Sequence, residues 1–263
     1  MKRVFILTLI TLFTATSLAH SAFFPIPNKS AQTIFAGKKG TFVIIDCSSE
    51  AISIYNPEES SEKLPPCSTF KIWNTLIGLE SGIIHSADDD FYKWDGETRS
   101  YPEWNKDLKL KEAFQVSCVP AFQNLARQIG TQRMQIWVDK IGYGDRDISS
   151  GVDVFWLPEA GRKTLLISPE EQARLIYRLV SGKLLFSENA KATLKNIMTI
   201  KKTEGGVLYG KTGSSRFNLG WFVGYVESNS KTYAFACAVK GDKLTGRDAR
   251  IIVENILEQN GYL

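Results

Sequence analysis

The chain has 263 residues, of which 43% are hydrophobic and 23% charged, a balance typical of a soluble globular protein. Its formal net charge is +4 and falls to +2 without Lys2 and Arg3, too small a surplus to indicate binding to nucleic acid or to an anionic membrane surface. The only histidines are His20 and His85, which excludes a multi-histidine zinc site.

The N-terminus has the three parts of a secretory signal. Met1-Lys2-Arg3 is followed by an apolar run over residues 4–18 and by small residues that predict cleavage after Ser21. The apolar run is shorter than the ~20 residues that a membrane-spanning helix needs, so we expect no stable membrane association. We therefore predict a signal peptide over residues 1–21 and an exported, periplasmic protein with one domain over residues 22–263.

Strand signals lie at both ends of the chain. After an irregular or partly helical segment over residues 23–39, two strands form a predicted hairpin and a polar surface loop follows over residues 56–63. The strands predicted in the chain are residues 41–46, 51–55, 207–210, 219–226 and 232–239. We expect a turn at residues 214–218 and an amphipathic helix over residues 246–259.

The middle of the chain, from residue 82 to about residue 203, shows only helical and loop signals. Helices are predicted to begin at residue 108 and to cover residues 123–129, 132–141 and 169–180. The last of these opens with the capping box Ser168-Pro169-Glu170-Glu171. The pattern predicts an α/β (α+β) fold in which both chain ends build one antiparallel sheet, with flanking helices and an inserted helical lobe.

The central helix of this lobe follows Pro65-Pro66 and carries a candidate nucleophile and base. Ser68 and Lys71 are three residues apart, so their side chains lie on one helix face at the end where the dipole favours negative charge. The helix has almost no polar face, which predicts that it is buried. Burial disfavours the protonated form of a lysine amine, and the neutral amine can act as a general base. A Ser-x-x-Lys pair alone also occurs by chance, as a cap and an exposed lysine.

Two further features narrow the chemistry. His85 lies in a polar connection after this helix, so we expect it on the surface, and serine activation must come from lysine or a carboxylate. Lys211-Thr212-Gly213 follows a predicted strand, where lysine and threonine can bind a substrate carboxylate and glycine lets a ligand approach closely. By itself this tripeptide is also compatible with a strand that ends in a turn.

Five ordered motifs resemble those of the class D, or oxacillinase-type, serine β-lactamases, and the resemblance runs from about residue 41 to the C-terminus. The motifs are Pro66-Cys67-Ser68-Thr69-Phe70-Lys71, Tyr92-Lys93-Trp94-Asp95-Gly96, Ser117-Cys118-Val119, Phe155-Trp156-Leu157 and Lys211-Thr212-Gly213-Ser214. The resemblance implies a β-lactamase/transpeptidase-like fold and hydrolysis of β-lactam antibiotics, with no metal and no cofactor.

The resemblance also implies roles for individual residues. Ser68 would attack the β-lactam carbonyl, and Lys71 would carry a carbamate made from CO2 and act as general base in acylation and deacylation. Val119 and Leu157 would exclude water from the amine of Lys71. The indole N–H of Trp156 would donate a hydrogen bond to the carbamate.

The remaining implied roles concern the substrate. Ser117 would relay a proton toward the lactam nitrogen, and Lys211 would maintain the electrostatics of the site. The residues implied in binding the substrate or its oxyanion are Thr212, Gly213, Ser215, Arg216, Tyr143, Leu157, Arg247 and Arg250. The oxyanion hole would combine the backbone N–H of Ser68 with that of Ser215 or Arg216, while Arg247 and Arg250 are equal candidates for the carboxylate.

One motif departs from the family pattern, because Tyr143-Gly144-Asp145 has a carboxylate where the family has an amide. An ionised carboxylate cannot donate a hydrogen bond, so this corner could differ in hydrogen bonding or substrate preference. The pairing of the four cysteines stays open, although Cys67 and Cys118 are expected to be small buried residues near one another.

Two other functions remain open on the sequence. A penicillin-binding transpeptidase or carboxypeptidase would share Ser68, Lys71 and Lys211, and a non-hydrolysing β-lactam sensor domain would be acylated and stay acylated. Val119 favours the hydrolase, since such sensors typically have a polar residue there. We expect small-molecule β-lactam substrates and a monomer or homodimer.

Overall fold

The computed structural model describes residues 28–263, with side chains from residue 30 onward, so the predicted signal peptide lies outside the described residues. The helices are α1 Asn28–Phe35, α2 Pro57–Ser60, α3 Lys71–Glu80, α4 Leu110–Gln115, α5 Val119–Ile129, α6 Thr131–Ile141, α7 Pro169–Val180, α8 Glu188–Met198 and α9 Gly246–Gln259. The strands are β1 Lys39–Asp46, β2 Ile52–Tyr55, β3 Asp90–Tyr92, β4 Leu108–Lys109, β5 Thr199–Lys202, β6 Gly206–Ser215, β7 Leu219–Ser228 and β8 Lys231–Lys240. Short 3₁₀ helices cover Cys67–Phe70 and Pro102–Trp104.

Both ends of the chain contribute to one six-stranded sheet with the order β2-β1-β8-β7-β6-β5. Its neighbouring strands are antiparallel, and Ile44 of β1 lies opposite Ser53 on one side and Phe235 on the other. The segment between β2 and β5 contains α2 to α8. The predicted fold class, an antiparallel sheet from both termini with a helical insertion, is therefore confirmed.

The sheet separates two apolar cores because alternate residues of a strand point to opposite faces. Phe42 and Ile44 pack on one face against α1 and α9, whereas Val43 and Ile45 pack on the other against the helical lobe. Helix α3 lies in the second core, and all its residues from Lys71 to Gly78 are buried. The prediction of a buried central helix is confirmed, and the nucleophile region is thereby placed between sheet and lobe.

Some predicted boundaries were wrong. The helix expected from residue 108 begins at Leu110, because residues 108–109 pair with β3, a strand that the sequence did not predict. Strand β5 was also missed. It is short, three of its four residues are polar, and it forms a strand through pairing with β6, which is a tertiary contact. Strand β6 extends through Ser215, so the turn before β7 is only three residues long.

Candidate active site

The 3₁₀ helix Cys67–Phe70 continues directly into α3, so Ser68 and Lys71 lie on successive turns. The amine Nζ of Lys71 donates a hydrogen bond to Ser68 Oγ at 2.8 Å. Ser68 is partly exposed, whereas Lys71 has no solvent-exposed surface. The predicted approach of the two side chains is confirmed, and it joins an accessible hydroxyl to a buried amine.

Burial lowers the pKa of Lys71 to about 7. The aromatic ring of Phe122 on α5 lies 5.4 Å from Nζ and forms part of this apolar environment. Buried thiols stand nearby, and burial raises the pKa of Cys67 to about 12 and that of Cys118 above its usual value, so neither provides an anionic partner at neutral pH. A substantial fraction of Lys71 is therefore neutral near pH 7, as a base or an attacking amine must be.

The low pKa of Lys71 predicts a stability effect. A lysine normally keeps its proton until about pH 10.5, so between pH 7 and 10.5 the unfolded chain binds more protons than the folded one and stability rises with pH. Lys71→Met should remove this cost and stabilise the fold at pH 7 by about 2–4 kcal/mol, or on the order of 5–10 °C in Tm.

Thermal unfolding in CO2-depleted buffer at pH 7 and pH 9 provides the measurement. The wild type should gain Tm between the two values and Lys71→Met should gain less. An exposed substitution, Lys202→Met, serves as the control and should follow the wild type. A lower Tm for Lys71→Met at pH 7 would contradict the predicted cost.

Two further buried polar atoms of the motifs have no hydrogen-bond partner within residues 28–263. They are Ser117 Oγ and Trp156 Nε1. Ser117 has a left-handed backbone conformation with φ of 56°, and the ring of Trp156 stacks on Phe70 at 5.5 Å. Unpaired buried polar atoms are costly, so both atoms are suited to bind a polar group that enters the site.

Lys211 is the second buried lysine of the site. It is 3% exposed, its Nζ donates to the Thr212 carbonyl at 3.0 Å, and the Phe114 ring lies 5.7 Å away. Burial, followed by the charge of Lys71, holds the pKa of Lys211 well below its usual range. The fold thus brings together two lysines that are 140 positions apart in the sequence, and the charge of Lys71 disfavours a positive charge on Lys211.

Glycine allows strand β6 to approach the nucleophile closely. A Cβ atom on Gly213 would lie 3.1 Å from the Pro66 carbonyl oxygen and 3.3 Å from Cys67 Cβ. The N-terminus of α9 is equally close, since a Cβ on Gly246 would lie 2.6 Å from the Gly213 carbonyl oxygen and 2.8 Å from Thr212 Cβ. Thr212 and Gly213 therefore lie between the serine turn and the start of α9.

The structure distinguishes the two candidate arginines. Arg247 follows Gly246 directly, is exposed, and makes no side-chain hydrogen bond or ion pair among the described residues. Arg250 donates from Nε to Glu254 at 2.7 Å, one turn further along α9. Arg247 follows the glycine that contacts Thr212, and a guanidinium without a partner is better suited to a substrate carboxylate than one that is already paired.

The loop after β6 contacts a second segment of the site. Arg216 forms an ion pair with Glu159, two residues beyond Leu157, and both side chains are exposed. Ser215 Oγ accepts a hydrogen bond from the Phe217 backbone N–H at 3.0 Å.

Leu157 is partly buried and packs against the main core. Val119 is the first residue of α5, three positions before Phe122 and so on the helix face that meets Lys71.

Tyr143 packs against the residues that follow Ser68. Its side chain is fully buried, its ring packs on Phe70 and Trp73 at 5.2 and 6.0 Å, and its hydroxyl lies 3.4 Å from Gln172 Oε1. Its implied role in binding substrate stays a prediction. Gln172 also donates to Thr69 Oγ1 at 3.0 Å.

Gln172 was missed by the sequence analysis, although a signal existed. It is a polar residue on the buried face of α7, and a polar group in that position needs partners. Phe122 and Phe114 were missed as well, because aromatic residues on buried helix faces are indistinguishable from ordinary core residues in the sequence.

The departure at Asp145 has a local explanation. The Asp145 carboxylate accepts hydrogen bonds from the backbone N–H groups of Asp147 and Leu166, both at 3.2 Å. Neither contact requires the side chain to donate, so a carboxylate serves here as well as an amide oxygen would.

His85 is exposed, as predicted, and the four cysteines, all in the described part of the chain, are free.

Comparison with known proteins identifies the family. Residues 40–258 match the penicillin binding protein transpeptidase domain. A probable β-lactamase YbxI of Bacillus subtilis is 33% identical over 95% of this chain and 91% of its own length. The crystal structure of a class D β-lactamase from Bacillus subtilis superposes with a TM-score of 0.83 at 34% identity, covering 89% of this chain and 96% of that one. The chain belongs to the class D β-lactamases.

A longer regulatory protein is also similar over part of its length. Regulatory protein BlaR1 of Bacillus licheniformis is 36% identical over 84% of this chain, which spans only 37% of that longer protein. The C-terminal domain of the Bacillus licheniformis BlaR penicillin-receptor superposes with a TM-score of 0.82 at 34% identity, covering 89% of this chain and 95% of that one. Among residues 28–263, no helix is both long enough and apolar enough to cross a membrane.

Proposed function

We propose that this class D protein hydrolyses β-lactam antibiotics through an acyl-enzyme on Ser68, with N-carboxylated Lys71 as general base. The observation that carries the proposal is the 2.8 Å contact between Ser68 Oγ and a completely buried lysine amine. Burial both permits the neutral amine to add to CO2, with loss of one proton, and places the resulting base beside the nucleophile.

In the first half of the reaction Ser68 Oγ attacks the lactam carbonyl and loses its proton toward Lys71. The backbone N–H of Ser68, with that of Ser215 or Arg216, stabilises the oxyanion. Opening of the ring breaks the bond between the carbonyl carbon and the lactam nitrogen, and the nitrogen takes up a proton through Ser117. The unpartnered hydroxyl of Ser117 is consistent with this relay.

In the second half, water attacks the ester of Ser68 and releases the open product. A carbamate on Lys71 would supply the base that activates this water. The buried N–H of Trp156, which has no hydrogen-bond partner in the described structure, supports a role in binding such an anion. Val119 and Leu157 add apolar surface that would exclude bulk water from the base.

The test is hydrolysis of a chromogenic cephalosporin by the purified protein, in CO2-depleted buffer and after addition of bicarbonate. We expect turnover that falls on depletion and recovers with bicarbonate. If turnover does not change with bicarbonate, the carbamate on Lys71 is contradicted, but the hydrolase function is not.

The similarity to BlaR1 supports a second candidate, a sensor domain that is acylated but does not turn over. The two functions differ in the lifetime of the acyl-enzyme. A sensor would consume one equivalent of cephalosporin and then show a stable adduct in intact-protein mass spectra. A hydrolase would consume many equivalents.

We propose Arg247 as the residue that binds the substrate carboxylate. Arg247→Ala should raise KM at least about tenfold with little change in kcat, because the lost ion pair contributes equally to substrate and transition state. Arg250→Ala is the matched control and should stay near wild-type KM, since its guanidinium is paired with Glu254. Steady-state kinetics on both variants provide the measurement, and the reverse ranking would assign the carboxylate to Arg250.

A further inference from the structure

A cavity of about 320 Å³ lies between α8, the end of α7 and strands β7 and β8. Its lining includes none of the residues proposed for catalysis. A volume of this size is within the range of pockets that hold small organic ligands.

Tyr225 lines the cavity, and its hydroxyl has no hydrogen-bond partner among the described residues. Tyr225 is only 6% exposed and stacks on Tyr209 with ring centroids 4.5 Å apart. The Tyr209 hydroxyl, by contrast, donates a hydrogen bond to Glu227 at 3.0 Å. Burial and the nearby Glu227 raise the pKa of Tyr225 well above its usual value, so the hydroxyl keeps its proton and can donate.

Two lysines of α8 stand on the face that lines the cavity. Lys195 is held by Glu227 at 2.6 Å, and Glu227 also receives the Tyr209 hydroxyl, so this pair is already satisfied. Within the part of the chain that the structure describes, Lys191 pairs with Glu188 alone, whose side chain is 91% exposed. Such an exposed ion pair contributes little, and an incoming anion can replace it at small cost.

Leu179, Val180 and Leu194 supply hydrocarbon surface to the cavity. Its two carboxylates, Glu188 and Glu227, are each paired with a lysine. The cavity therefore combines apolar surface, one available hydroxyl donor and one weakly engaged ammonium group. This combination matches a small molecule with an apolar or aromatic part and a single carboxylate.

We propose that this cavity is a second binding site, which takes a small amphipathic carboxylate with its anionic group between Tyr225 and Lys191. The site is independent of the Ser68 centre. Helix α8 also packs against α3 and β6, so an occupant would contact a helix that touches both halves of the catalytic centre.

Calorimetric titration with 4-phenylbutyrate tests the proposal on the full protein, with 4-phenylbutyramide as an uncharged probe of the same shape. We expect saturable binding of the carboxylate and at least about tenfold weaker binding of the amide. Tyr225→Phe, which removes only the hydroxyl, and Lys191→Met should each weaken carboxylate binding by about tenfold or more. Because Lys191 lies on the surface of α8, its variant tests the site even if Tyr225→Phe is unstable.

Arg247→Ala is the control for binding of the probe at the catalytic centre. It should leave the affinity for 4-phenylbutyrate unchanged. Loss of binding in Arg247→Ala with retention in the other two variants would place the probe at the catalytic centre and overturn the proposal. Equal affinity in wild type, Tyr225→Phe and Lys191→Met would overturn it as well, as would absence of binding up to about 10 mM. No β-lactam is present, so the outcome does not depend on hydrolysis.

Discussion

Ser68→Ala is expected to reduce β-lactam turnover by at least about 10⁴-fold while the fold is retained. The substitution removes the hydroxyl that accepts a hydrogen bond from the buried amine of Lys71. Little stability should be lost, because Ser68 is partly exposed and its hydroxyl makes one hydrogen bond in the described structure. The Tm should therefore stay within about 3 °C of the wild type.

The measurements are kcat on a chromogenic cephalosporin and the intact mass after mixing with β-lactam. Ser49→Ala, an exposed serine on the turn after β1, is the matched control and should keep full activity. No adduct should form on the Ser68 variant. An adduct or hydrolysis that persists in Ser68→Ala would assign the nucleophile elsewhere.

Trp156→Phe is expected to slow deacylation by about 10²-fold and to let acyl-enzyme accumulate. Phenylalanine can keep the aromatic contacts with Phe70 and Phe155, at 5.5 and 5.0 Å in the wild type, but it lacks the buried indole N–H. Without this donor, an anionic base on Lys71 would lose a charge-assisted hydrogen bond in an apolar environment. The concentration of bicarbonate needed for half of maximal activity should also rise.

Rapid quenching followed by mass spectrometry measures the acylated fraction during turnover. Trp94→Phe is the control, since its indole N–H is bonded to the Glu97 carbonyl in a surface loop. This variant should deacylate at the wild-type rate. If Trp156→Phe deacylates equally fast and needs no extra bicarbonate, Trp156 acts only as a core residue.

Local patterns predicted the parts of this site that lie close together in the sequence. The three-residue spacing of Ser68 and Lys71 determines their contact, and the apolar helix around Lys71 determines its burial. The α9 helix was predicted with its observed bounds, 246–259, because its amphipathic pattern covers the same residues. Strand β5 could not be recognised, since its residues form a strand only through pairing with β6.

Local patterns were enough to predict that a serine and a lysine of lowered pKa meet at the start of a buried helix, because one turn of helix and its apolar surface suffice for both. The distant groups that join them depend on the tertiary fold. It brings Lys211 within reach of the charge of Lys71, gives Arg250 a carboxylate partner and packs Tyr143 against Phe70. These contacts depend on how the sheet and the lobe pack, and packing joins residues far apart in the chain without leaving a local pattern.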